Sequence, residues 1–182
     1  MKPLTGLKYF FLSSFSNPSC DRVIYRAIKK IKATSILEIG VGNASRSERM
    51  IQVAKKFSGS GGVRYTGVDV FESADTGQIT LKQCHQKLQA YSVKLQLVPG
   101  DIHSSLHRIA NSHTRTDLVV ISAPYDDDSL SDAWFYVPRM LHATSLVFLQ
   151  DHSDCEAPFK KMTRLEIERK VKTQPKKTRR VA

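Results

Sequence analysis

Five short apolar runs recur along this chain at intervals of roughly 25 to 30 residues, the spacing that a helical crossover between parallel strands requires. They are Ser35 to Gly40, Val63 to Val70, Lys94 to Val98, Asp117 to Ser122 and Ser145 to Gln150. Stretches with one apolar face at helical spacing lie between them. Val23, Ile24, Ala27, Ile28 and Ile31 follow Asp21, which is expected to cap that helix. Met50, Val53, Ala54 and Phe57 form a second stripe, and Leu81, Cys84, Leu88 and Tyr91 a third. Leu106 and Ile109 belong to another helix; Trp134, Val137, Met140 and Leu141 outline a last one, which Pro138 is expected to bend or end. The alternation predicts an α/β protein whose mostly parallel sheet is covered by helices on both faces. The middle runs are continuously apolar, as strands covered on both faces are.

At 182 residues the chain suits one domain. Residues 1–34 read as an N-terminal helical or lid segment, in which Phe10, Phe11 and Phe15 are expected to pack inward or form a lid. Residues 35–158 form the core, and 159–182 a basic C-terminal extension, partly disordered. Within it, Thr163 to Lys170 fits a strand by alternation and a helix by the spacing of Phe159, Met162 and Leu165. The net charge of +11 is unevenly spread: ten Lys and Arg against two acids leave +8 on residues 159–182 and +3 on the rest. Such a tail suits an anionic partner, nucleic acid among them, or simply a solvated end. Cys20, Cys84 and Cys155 are far apart and form no Cys-x-x-Cys pair, which fits a reducing cytoplasm. No apolar run is long enough to span a membrane.

Between the first strand and the next helix stands Glu38-Ile39-Gly40-Val41-Gly42-Asn43-Ala44. Glycines here permit a tight turn and close approach of a ligand to backbone N–H groups. A carboxylate two residues before the first glycine would repel a pyrophosphate but attract a cationic ligand. This Glu-x-Gly-x-Gly pattern resembles the first motif of class I S-adenosylmethionine-dependent methyltransferases. The resemblance extends from about Asp21 to Asp151, with Ala44 replacing the family's third glycine. It implies a three-layer Rossmann-like sandwich, shortened after the fifth strand. It also implies S-adenosylmethionine as cofactor, held by Glu38, Gly40, Gly42 and Asn43. Asp69 would take the ribose hydroxyls, Asp101 would lie by the adenine amino group, and Ile102 would pack on the ring.

The methyl acceptor would then lie beside the end of the fourth strand, Ile121-Ser122-Ala123-Pro124-Tyr125-Asp126. Ser122-Ala123-Pro124-Tyr125 resembles the Asn/Asp/Ser-Pro-Pro-aromatic pattern of nucleic-acid amino-methyltransferases at three of four positions. Compared with metal-dependent catechol-type enzymes, Ser122 replaces the first acid and Asp151-His152 stands at the second site, so no metal is expected. Ser122, Tyr125, Asp126 and Asp151 are the acceptor-side candidates. His103 and His107 share a helical spacing but lack a third ligand for zinc. Methyl transfer to an unidentified small molecule or nucleic acid is the leading expectation. The rivals are a non-catalytic module of the same fold and a nicotinamide-dependent oxidoreductase, which Glu38 disfavours.

Overall fold

Strands β1 (Ser35–Ile39) and β4 (Thr116–Ile121) are rich in apolar side chains, and each divides them between two cores. Ile36, Leu118 and Val120 join one cluster, while Leu37, Ile39, Val119 and Ile121 join the other. This follows from the two-residue period of a strand. The structure, a computed structural model, describes residues 4–71, 79–122, 127–150 and 158–172.

The sheet order is β3-β2-β1-β4-β5-β6, with β2 at Arg64–Asp69, β3 at Lys94–Pro99, β5 at Leu141–Leu149 and β6 at Lys160–Met162. The first five strands are parallel, and β6 runs antiparallel to β5. Helices α1 (Gly6–Phe15), α2 (Arg22–Ile31), α3 (Ser45–Phe57) and α4 (Leu81–Gln89) contribute to the first cluster. Helices α5 (Ile102–Ile109), α6 (Asp127–Met140) and α7 (Arg164–Lys172) contribute to the second. The strand order reverses direction at β1 and β4, so their carboxyl ends open the crevice where such sheets bind ligands.

Several local expectations need correction. Asp21 occupies the N-cap position of α2, but its side chain makes no capping bond. One oxygen accepts from the Tyr25 hydroxyl at 3.2 Å, and the other meets Arg46 at 3.4 Å. Helix α6 runs two residues past Pro138, to Met140; the proline sits in the last turn, where it removes the donor to the carbonyl four residues back, and the helix stops soon after. The ambiguous segment after β6 is helical. Thr163 Oγ1 accepts from the Glu166 N–H while Glu166 Oε2 accepts from the Thr163 N–H, a reciprocal cap that starts α7. Met162 and Ile167 are buried in the second cluster, so residues 160–172 pack with the sheet. Phe10, Phe11 and Phe15 are exposed; α1 buries Leu12 and Ser13 on its opposite side.

At the amino ends of the strands two histidines are fixed. His142 Nε2 lies 2.9 Å from Asp117 Oδ1, while Asp117 Oδ2 accepts from the N–H groups of Thr34 and Ser35 and from the Thr34 hydroxyl. Burial raises the Asp117 pKa, but these donors outweigh it and the net shift is downward. His113 is buried, with Nε2 2.9 Å from Thr66 Oγ1 and Nδ1 3.0 Å from Ser112 Oγ. Burial, with the nearby Arg64 charge, lowers its pKa. A histidine whose folded pKa lies below its unfolded value of about 6.5 contributes fully above that value. The contribution is lost as pH falls through the depressed folded value. Urea unfolding at pH 7.5 and pH 5.5 should therefore show a loss of stability that His113→Gln reduces.

Candidate cofactor and acceptor site

The loop after β1 needs left-handed backbone at three places: Gly40 at φ 86°, Gly42 at φ 59° and Ala44 at φ 60°. Glycine adopts this freely, whereas Ala44 holds it with its methyl group buried against the first cluster. The Gly40 N–H donates to Val68 O at 2.9 Å, which stitches the loop to the end of β2. A side chain added at Gly42 would meet nothing within 4 Å, so open space lies in front of this residue.

Asp69, the last residue of β2, faces that loop. Its Oδ2 accepts from the Gly42 N–H at 2.9 Å and its Oδ1 from the Val70 N–H at 2.7 Å. Each oxygen retains a lone pair for a further donor. The Asp69 carbonyl accepts from Gly100 at 3.0 Å, fixing the end of β3 beside it. Asp101 follows and caps α5: Oδ1 accepts from the Ser104 N–H at 2.9 Å and Oδ2 from the Ser104 hydroxyl at 2.6 Å. The Ser104 hydroxyl and N–H together lower its pKa, so it is an exposed carboxylate. Ile102 is buried in the second cluster. The Asn43 side chain accepts from the Ser45 N–H at 2.9 Å, at the start of α3.

Glu38 lies elsewhere than a ligand-facing reading requires. It is 0% exposed, because strand alternation places it on the same face as Ile36, under α3. Its Oε1 accepts from Arg46 Nε at 2.8 Å, and its Oε2 from the hydroxyls of Ser47 and Tyr65. It is linked to the loop through Arg46, which bonds Gly40 O. Burial and the Glu38 charge push the Tyr65 hydroxyl well above its usual pKa, and burial, Glu38 and Asp69 push the Cys84 thiol up to about 12.

Arg46, which the sequence reading missed, gathers the site. Nη2 donates to Gly40 O at 3.1 Å and to Ser122 Oγ at 2.5 Å, while Nη1 reaches Asp21 at 3.4 Å. The guanidinium lies 5.1 Å from the centre of the Phe159 ring. Burial works against its charge, but Glu38 and Asp21 outweigh this and raise its pKa. The available signal was a charged residue beginning α3 directly behind a glycine loop, opposite a glutamate in an otherwise apolar strand.

Ser122 is buried at the end of β4, its N–H donating to Ile39 O at 2.9 Å. Tyr125, Asp126 and Asp151 lie outside the described residues. His103 and His107 both pack against the Tyr136 ring, at 5.6 and 6.0 Å. Among the described residues, no three His, Cys, Asp or Glu side chains gather as metal ligands would.

Comparison with known proteins adds two findings. A family model described as RNA cap guanine-N2 methyltransferase matches residues 50–133, somewhat under half of the chain. The fold is similar to that of the calicheamicin methyltransferase CalS11, at 16% identity and a TM-score of 0.62, covering 92% of this chain and 72% of that one. The chain has the class I methyltransferase fold. An O-methyltransferase from Bacillus cereus, solved with S-adenosylhomocysteine, shares it at 14% identity and a TM-score of 0.57, covering 75% of this chain and 57% of that one. No curated protein sequence matches. The family match and the shared class I methyltransferase fold together support S-adenosylmethionine-dependent methyl transfer, with the acceptor unspecified.

Removing Arg46 would leave two buried carboxylates without their cation. Arg46→Ala should destabilise the protein by about 3–5 kcal/mol in chemical denaturation. Combining Arg46→Met with Glu38→Gln should cost less than the sum of the single changes, by about 1 kcal/mol or more.

Proposed function

We propose that the chain binds S-adenosylmethionine at the Gly40–Ala44 loop and passes its methyl group to an acceptor beside Ser122. The observation that carries this reading is the pairing of the Asp69 carboxylate with the Gly42 N–H in front of open space. Spare carboxylate lone pairs suit vicinal hydroxyls, and a loop without side chains lets a nucleoside approach. Asp101, exposed and charged at the neighbouring strand end, suits the adenine amino group. Asn43 and Ile102 flank these positions in sequence. The donor supplies a methyl group already activated on a sulfonium, so alignment is the main requirement.

This chain's own residues supply that alignment. Glu38 holds Arg46, and Arg46 holds both Gly40 and Ser122, so the loop and the β4 end keep one relative position. Ser122 accepts from Arg46, which leaves its own O–H free to donate toward the acceptor. Tyr125, Asp126 and Asp151 follow β4 and β5 in sequence and belong to the acceptor side in this reading. The buried free thiols of Cys20 and Cys84 fit the cytoplasm as its setting.

A nucleic acid acceptor is the more specific version. The matched family model is described by an RNA cap substrate, and residues 159–182 carry +8. Binding of an oligoribonucleotide should then fall steeply between 50 and 200 mM salt, and the slope should shrink when Lys176, Lys177, Arg179 and Arg180 are changed to Ala.

Calorimetric titration tests the cofactor site. S-adenosylmethionine and S-adenosylhomocysteine should bind at about micromolar Kd, and Asp69→Asn should weaken both at least about tenfold. Absence of binding to a folded sample would remove the proposal. Binding without transfer to any acceptor in a broad screen would favour a non-catalytic module of the same fold.

A further inference from the structure

Helix α1 is apolar on two opposite sides. Leu12 is buried, and Tyr9 packs against Phe57 at 4.8 Å. Leu7, Phe10, Phe11 and Phe15 recur at i, i+3, i+4 and i+8, one stripe of a helix surface. They are 80%, 57%, 58% and 58% exposed. Four large apolar side chains on ten residues form a contiguous patch of the kind that marks an interaction surface.

The surroundings define the partner. Described residues 4–34 contain six cations, Lys8, Arg22, Arg26, Lys29, Lys30 and Lys32, against one acid. That acid is Asp21, which is buried and engaged by Tyr25 and Arg46. Lys8 is exposed on α1 itself, next in sequence to Leu7, while Arg26 and Lys29 hold the covered side of the helix, Arg26 Nε donating to Ser13 O at 2.9 Å and Lys29 lying 4.9 Å from the Tyr9 ring centre. The partner must therefore be both apolar and anionic. A second copy would bring like charges together. Single-stranded nucleic acid needs ring faces free for stacking. Here the most exposed member, Leu7, has no aromatic face, and Phe10 and Phe11 cluster edge-on or tilted against Phe15, with centroids 5.9 and 6.1 Å apart, rather than as a row of separate stacking faces.

We propose that α1, through Leu7, Phe10, Phe11 and Phe15, with Lys8 on the same helix and the basic surplus of residues 4–34 around it, docks the protein on an anionic phospholipid bilayer. At ten residues the helix is too short to span; it would lie in the interface with its apolar stripe below the headgroups and the lysines at their level. Ser16, directly after α1, accepts from Arg22 at the start of α2, next to the Asp21 that reaches Arg46. The carboxyl end of α1 is thus on the same side of the fold as the candidate site.

The test is co-sedimentation of the full chain with phosphatidylcholine vesicles and with vesicles of phosphatidylcholine and phosphatidylserine at 7:3. The protein should bind the mixed vesicles and not the neutral ones. Phe10→Ser with Phe11→Ser, both at exposed positions, should weaken binding at least about tenfold while leaving the unfolding midpoint unchanged. Changing Lys176, Lys177, Arg179 and Arg180 to Ala should leave most of the binding in place. Three results would overturn the proposal: binding unaffected by the phenylalanine changes, binding abolished by the tail changes alone, or no vesicle binding. An oligoribonucleotide complex or a dimer that needs the same phenylalanines would assign the face to that partner instead. None of these readouts depends on methyl transfer, so failure here is distinct from failure of the cofactor assignment.

Discussion

A carboxylate sealed beneath a strand end must find donors for both oxygens, and Glu38 draws them from three residues on two elements: Arg46 and Ser47 of α3, and Tyr65 of β2. Leaving any of these unmade would cost more than a surface bond is worth, because water cannot substitute there. The guanidinium of Arg46 then extends the constraint outward. It reaches Asp21 before α2, Gly40 in the loop, Ser122 after β4 and the ring of Phe159 before β6. Residues distant in the chain are thereby fixed around one cation.

This arrangement separates two tasks that the motif pattern runs together. The acid at the end of β1 is structural in its direct contacts, whereas the acids at the ends of β2 and β3 face the loop or solvent. Asp69 is poised by the Gly42 N–H, and Asp101 is poised by the helix it caps. In the proposed reading the cofactor would rest on groups whose geometry is set by backbone, and the acceptor on a hydroxyl whose geometry is set by Arg46.

The architecture was legible because buried parallel strands and amphipathic crossover helices have distinct periods, and the chain keeps both from Asp21 to Gln150. Element ends were less legible. Asp21 had the residue type of a cap but went to a tertiary partner, and Thr163-x-x-Glu166 carried a capping signal that competed with an alternating pattern. Inward packing or a lid was expected of Phe10, Phe11 and Phe15, whose rings the structure leaves exposed, because hydrophobicity alone does not say which of two apolar faces is covered. Arg46 was invisible for a different reason: its importance comes from the parity of Glu38 in β1, which becomes meaningful only when α3 is laid over that face.

The end of the sheet remote from the site tells a complementary story. Between Thr116 opposite Leu141 and Leu118 opposite Leu146 the register of β4 and β5 slips, so that His142 to Ser145 face Asp117 alone. The slack is tied off locally: Ser145 Oγ accepts from the His142 N–H and donates to Thr116 O, and His142 itself bonds Asp117. From Leu146 onward the pairing is regular up to Leu149. The chain leaving α6 therefore enters the sheet through a self-satisfied bulge of spare length at the start of β5. Insertions or deletions arising there would be absorbed before they reached Ser122, which makes this corner the place where the chain is free to vary in length during evolution without moving its working end.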